Sequence, residues 1–291
     1  MVVAAVLVGQ PRPAAAWGTE VHQFIMDRAI ALLPDGLRPF FEKRRAAMVE
    51  RSVDPETWRA AGFTDEPPNH FVDIDWEGFG PYPFSGLPRD YNAAVAKFGK
   101  AKIAEMGRLP WRGEEFYGNL RRAFEAYGKR PDRVNASDVV LFAASMSHYV
   151  GDAHQPFHAL FNYDGQLTHQ RGLHDRFEFE LFDRYESRLT LQPKAMAPVT
   201  NSRDFLFDTL IESARLAPPI LEADLKALGS KDVYDDAYFD AFFLATKPVL
   251  ERRISESIAA TAAMITGAWE AAGKPAMPAT PPPQPPKRKR P

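Results

Sequence analysis

Seven histidines are spread over the 291-residue chain, and five of them fall between His148 and His174. The segment His148-Tyr-Val-Gly-Asp152-Ala-His-Gln-Pro-Phe-His158 sets His148 and Asp152 four residues apart. On a helix they share one face and can hold one metal ion together. Pro156 ends that helix and allows His158 to turn toward a second ion. Downstream, His174 and Glu178 repeat the same spacing of imidazole and carboxylate. One such pair is common on a helix surface, but two of them with His158 in between point to a metal centre. The chain has no cysteine, which excludes disulfides, thiolate nucleophiles and Cys-held iron–sulfur or zinc sites. Imidazole with carboxylate is what Zn2+ accepts when thiolate is missing. Spacing alone leaves open the plainer reading, in which these are helix-surface charges and satisfied core histidines.

Such groups need rigid elements to hold them, and the pattern along the chain is helical. Residues 17–33 carry Val21, Phe24, Ile25, Ala29, Leu32 and Leu33 at helical spacing, and Pro34-Asp35-Gly36 stops the run. Residues 91–106 and 114–127 read as helices separated by Leu109-Pro110. Ser137 or Asp138 caps a helix running through Val139, Leu141, Phe142, Ala144, Met146 and Val150. Further helices are expected in 174–188, 202–216 and 236–272. The stretch 62–90 is rich in Pro, Gly and aromatics and reads as a long irregular connection, with a short extended piece at Phe71–Ile74. There is no internal repeat. The expectation is a single all-α, multi-helix domain over 17–273.

The composition sets bounds on function. Apolar residues make up 45% and charged residues 25%, ordinary for a globular protein. Lys+Arg number 36 against 38 Asp+Glu, which gives no electrostatic argument for duplex nucleic acid or an anionic membrane, though a local basic groove remains compatible. The chain opens on an apolar run ending in Ala14-Ala15-Ala16, which reads as a secretory signal over 1–16 with Trp17 as the first mature residue. That run is too short to span a bilayer, and no other segment reaches about 18 uninterrupted apolar residues. From Lys274 the sequence is Pro-rich and ends in a basic cluster at Lys287–Arg290; the expectation is a disordered, solvated tail over 274–291.

The joint pattern of Trp17, His22, Asp54, His70, His148, Asp152, His158, His174 and Glu178 resembles the zinc-dependent phospholipase C / S1-P1 nuclease superfamily, over more than half of the chain. HYVGDAHQPFH matches its H-x3-D-x5-H motif, and HxxxE at His174–Glu178 fits the same family. The resemblance implies an all-helical fold, three zinc ions and phosphodiester hydrolysis. By the same resemblance, Asp54, His70, His148 and Asp152 hold the first ion, and His158, His174 and Glu178 the second. The α-amine and carbonyl of Trp17, with His22 and a second oxygen of Asp152, hold the third, so that Asp152 bridges two ions. A free α-amine exists only after cleavage, so processing would complete the site. Asp65 is the alternative to Asp54 in the first group. Asp54 is also the expected proton acceptor from an attacking water, Arg59 near it is either a cation that helps the transition state or a salt-bridged surface arginine, and Phe71 is expected to meet the substrate.

The motif does not choose the substrate. Trp17-Gly-x-x-x-His22 has the short spacing of the nuclease branch. The interval from His158 to His174 and the closing His–Glu pair look more like the bacterial phospholipase C branch, and the missing cysteines fit that branch too. Phe71 suits either, stacking on a base or lining a headgroup pocket. Pro55 and Pro67 stand where a choline-selective relative carries aromatics, which argues against an aromatic cage for a quaternary ammonium. The expectation is a monomeric zinc phosphodiesterase, periplasmic or secreted, leaning to phospholipid. A single-strand nuclease and a non-catalytic zinc-binding protein are the alternatives.

Overall fold

The computed structural model describes residues 18–280. The expected signal over 1–16, the Trp17 ligand and the basic cluster at 287–290 lie outside the described residues. Within them the chain is all-helical, and strand pairing is confined to one isolated bridge between Val72 and Gly107. That bridge is what the expected extended piece at Phe71–Ile74 amounts to.

The helices in chain order are α1 (Thr19–Ala31), α2 (Arg38–Glu42), α3 (Arg45–Arg51), α4 (Asp54–Ala60), α5 (Tyr91–Phe98), α6 (Lys100–Met106), α7 (Leu109–Lys129), α8 (Arg133–His154), α9 (Leu173–Asp175), α10 (Leu181–Tyr185), α11 (Ser202–Leu228) and α12 (Asp236–Ala271). Short 3₁₀ turns at Pro67–Asn69, Glu77–Phe79 and Pro156–Ala159 punctuate the connections, and a π-turn over Arg176–Glu180 joins α9 to α10. α8 is the axis of the molecule. From Ala143 to His154 every one of its residues is buried, because α1, α3, α7, α11 and α12 pack around it. A helix buried on all sides carries no amphipathic stripe, so its polar residues are the ones that need explaining.

Several boundaries differ from expectation for local reasons. α8 begins earlier than Ser137: Asp132 is its cap, accepting from Asn135 N at 2.9 Å. Pro110 does not separate helices but opens α7, where a missing N–H costs nothing. The run 91–106 is broken at Gly99, whose φ of 85° lies in the left-handed region. α11 continues through Pro218 and Pro219 to Leu228. The domain also extends past 273. Trp269 Nε1 donates to Pro275 O at 2.9 Å, Tyr127 OH to Pro278 O at 3.1 Å and Arg44 Nη1 to Ala279 O at 3.1 Å, and Met277 is buried. These donors hold the first part of the Pro-rich segment on the core.

Candidate metal centre

Six separate stretches of chain bring ligand-type side chains around the C-terminal half of α8. α1 supplies His22, α4 supplies Glu56, and the irregular connection supplies His70. α8 itself supplies His148 and Asp152, the 3₁₀ turn after it His158, and α9 with the π-turn His174 and Glu178. They form three groups whose ligand atoms lie within 4.8 Å of one another: His22 with His148 and Asp152, Glu56 with His70 and His148, and His158 with His174 and Glu178.

Asp152 joins the first two groups. Its Oδ2 lies 3.1 Å from His70 Nδ1 and 3.4 Å from His148 Nε2, while Oδ1 lies 3.3 Å from His22 Nε2. The two oxygens of one carboxylate thus face two different ligand groups. In the third group His174 Nε2 is 2.6 Å from Glu178 Oε2 and His158 Nε2 is 3.1 Å from His174 Nε2. The far nitrogens fix which edge of each ring faces the centre: His148 Nδ1 donates to Ser52 O at 3.0 Å and His158 Nδ1 donates to His70 O at 2.6 Å.

Asp54 does not belong to this constellation. Its Oδ2 lies 3.4 Å from Arg51 Nη1, and its side chain is 26% exposed. The carboxylate that meets His70 and His148 is Glu56, whose Oε1 is 3.3 Å from His70 Nδ1 and 3.7 Å from His148 Nε2. Both residues open α4, but two residues along a helix turn a side chain to the opposite side, so Asp54 faces outward where Glu56 faces in. Asp65 is exposed and takes no part. Arg59 pairs with Glu56 Oε2, which leaves Oε1 for the histidines. Phe71 is half-buried with its ring against Gly107, and it lies outside the three groups. His154 and His169, outside the motif, also stay outside the groups: His154 Nδ1 donates to Val150 O at 2.7 Å and His169 is exposed at a φ of 61°.

Close packing of α1 on α8 depends on Gly151. A Cβ there would lie 2.8 Å from His22 Nδ1, and without it the His22 ring stacks on His148 at 3.8 Å between centroids. The π-turn is pinned from behind. Arg176, buried between its ligands in sequence, bonds Asp224 Oδ1 at 3.0 Å, Gln170 O at 3.1 Å and Arg171 O at 2.9 Å. π-turns are rare and recur at functional sites. Arg253 is also buried; its Nε donates to His154 O at 2.9 Å and so satisfies the last turn of α8. Gln155, directly after α8, donates to Glu178 Oε2 at 3.0 Å.

The donor atoms test whether metal fits. Thirteen buried side-chain N or O atoms of the described residues lack a hydrogen-bond partner, and seven belong to residues of this centre; of these, His22 Nε2, Glu56 Oε1 and Asp152 Oδ1 face neighbouring ligand groups, whereas His70 Nε2 faces Glu66. Each such atom costs about 1–3 kcal/mol when left unmet. A cluster that concentrates this cost on imidazole and carboxylate suits divalent cations. The charge states agree. Burial pushes the Asp152 carboxyl up, but the imidazoles of His148 and His158 outweigh it and hold it well below the usual range. Burial also raises the Glu56 carboxyl, yet His148, His70 and Arg59 bring it down to about 2. Desolvation lowers His22 to about 4 and His158 to about 3, so both are neutral and ready to ligate. His70 is the exception: burial lowers it, but Asp152 and Glu66 more than compensate and raise it to about 9. Burial lifts Glu178 to about 7.

Glu56, Gly151 and Glu66 escaped sequence reasoning. A signal for Glu56 existed in Asp54-Pro-Glu56, two carboxylates at a helix start; choosing between them needs the helix's orientation. No protein-family model matches the chain, and no curated protein matches it.

Proposed function

We propose that this protein is a zinc-dependent phosphodiesterase of the phospholipase C / P1 nuclease type, acting on phospholipids outside the cytoplasm. The observation that carries the reading is the convergence of five histidines and three carboxylates into three adjoining buried groups, one carboxylate facing two of them. In this reading His70, His148, Glu56 and Asp152 hold one zinc. His158, His174 and Glu178 hold a second, and His22 and Asp152 a third, with the α-amine and carbonyl of a processed Trp17. Bound there, zinc supplies neutralisation of phosphate charge and acidification of water.

The chain's own groups account for the rest. Glu56 is the most open of the grouped side chains at 17% exposure, the others being nearly inaccessible, so water and substrate approach from the α4 side. Ionised at neutral pH, its Oε1 orients an attacking water, the role that the sequence assigned to Asp54. Arg59 steadies Glu56 through Oε2.

The lean toward lipid is supported by the loop between His158 and His174. It is tied together internally, with Leu167 N donating to Asn162 Oδ1 at 2.8 Å, Gln166 Nε2 to Phe161 O at 2.6 Å and Gly172 N to Asp164 Oδ1 at 2.9 Å. Yet it turns apolar side chains outward: Phe161 is 44% exposed, Tyr163 43% and Leu167 61%. An aliphatic Leu167 has no π-face for a base, and Arg171 is the one full cation between 159 and 173, which is poor provision for a phosphate backbone. The test is a parallel assay on vesicles of mixed phospholipids, single-stranded nucleic acid and bis-p-nitrophenyl phosphate, each with and without chelator. Chelator-sensitive release of phosphorylated headgroup supports the proposal. Cleavage of nucleic acid alone makes the protein a nuclease, and inactivity on all three in a zinc-loaded protein makes it a binding protein.

A further inference from the structure

The geometry points to Glu66 as a positioning residue that locks the His70 ring in its ligating orientation, with Tyr149 and Arg112 as the clamp that holds Glu66. The inference rests on the metal reading above and concerns a residue outside the three ligand groups. His70 turns Nδ1 toward the centre, 3.1 Å from both Asp152 Oδ2 and His148 Nε2. For Nδ1 to offer a lone pair, the ring proton must sit on Nε2. His70 Nε2 is buried and has no hydrogen-bond partner, and Glu66 Oε1 lies 3.6 Å away. Closing that gap to a hydrogen bond takes a movement of less than about 1 Å.

Glu66 is built to receive that proton. It is buried, and three donors hold it: Tyr149 OH on Oε1 at 2.5 Å, Arg112 Nη2 on Oε2 at 3.0 Å and Asn69 Nδ2 on Oε2 at 3.1 Å. The clamp is itself fixed. Arg112 also donates to Tyr149 OH at 3.2 Å and lies over the Phe116 ring at 4.6 Å, and Tyr149 packs on Phe116 at 5.2 Å. His148 and His158, by contrast, spend their far N–H groups on neutral backbone carbonyls. At His70 the group behind the ring is instead a carboxylate from outside the three ligand groups, and a carboxylate behind an imidazole orients the ring and makes it the stronger ligand. Removing such a partner weakens metal binding about 10–100-fold.

The experiment uses the full chain, wild type, Glu66→Gln and Tyr149→Phe. Zinc affinity is read by competition with a chromogenic chelator, the cobalt-substituted proteins are compared by visible spectrum, and the melting temperature of each chelator-stripped protein is recorded. In Glu66→Gln one of the bound zincs weakens about 10–100-fold, the cobalt spectrum shifts, and the remaining zincs keep wild-type affinity. Tyr149→Phe moves the same zinc in the same direction by less. A folded Glu66→Gln protein with every zinc at wild-type affinity and an unaltered cobalt spectrum overturns the assignment. Should Glu66→Gln not fold, wild-type affinity and spectrum in Tyr149→Phe overturn it equally. A wild-type protein that takes up no zinc defeats the metal reading itself, an outcome that the wild-type titration separates from the other two.

Discussion

Replacing Gly151 by alanine should damage a metal site that alanine never touches as a ligand. In an exposed helix interior this substitution stabilises by about 1 kcal/mol, because glycine loses more backbone freedom on folding. Here the new Cβ would meet His22 Nδ1 at 2.8 Å and Cε1 at 2.9 Å, against a ring already stacked on His148. Overpacking a filled core costs about 1–3 kcal/mol. The two effects together leave the metal-free variant up to about 2 kcal/mol less stable than wild type, a fall of roughly 2–4 °C per kcal/mol. The larger effect belongs to zinc. Ligand at about a hundred times its dissociation constant stabilises by about 2.7 kcal/mol, and a displaced His22 forfeits that gain for one ion. Thermal melts with and without excess zinc, alongside elemental analysis, should show one zinc fewer and a smaller zinc-dependent rise. A variant that melts higher than wild type and keeps the full zinc-dependent rise would refute the packing argument.

Glu56→Gln should lose one zinc and nearly all phosphodiesterase activity, whereas Asp54→Asn should keep wild-type zinc and lose little activity; elemental analysis and turnover of the two side by side decide between them. Stability of the chelator-stripped protein should peak near pH 6.5. His22 and His158, lowered to about 4 and about 3, bind fewer protons folded than unfolded, so stability climbs as pH rises toward the ordinary 6.5. Glu178, raised to about 7, and Asp73, raised to about 8, oppose that climb as two groups against three, because burial also holds His154 well below its ordinary value; His70, raised to about 9, loses its contribution between 6.5 and 9. Urea melts from pH 4 to 9 test this, and a monotonic profile contradicts it. Asp224→Asn should leave the buried Arg176 charge unpaired behind the π-turn, at about 3–5 kcal/mol, and release the zinc of His158, His174 and Glu178 first; equal loss from all three groups would show that the anchor is not local.

The helical class and most of the centre were legible because both follow short-range rules. Four-residue spacing joins His148 to Asp152 and His174 to Glu178 whatever surrounds them, and Pro156 turns the chain after α8. Helix limits were legible where a breaker stands alone and misread where context decides: Pro110 starts α7, and Pro218 and Pro219 sit inside α11. Choosing Glu56 over Asp54 depends on how α4 is rotated against α8, a tertiary fact with no local trace. Gly151 acts by contact with His22, which is distant in sequence, so periodicity could not reveal it; Glu66 stands four residues before His70, a spacing open to reading, but across the Pro67–Asn69 turn rather than along a helix. The Pro-rich end carries a disordered composition, but the donors of Arg44, Tyr127 and Trp269 that hold it come from three other helices or their caps.

The most direct test of the account is the metal content of the purified protein, measured by elemental analysis together with hydrolysis of bis-p-nitrophenyl phosphate before and after chelation. The purified protein should carry about three zinc ions per chain, lose its activity on chelation and regain it with zinc. Less than one tightly bound metal per chain, or hydrolysis indifferent to complete metal removal, would contradict it.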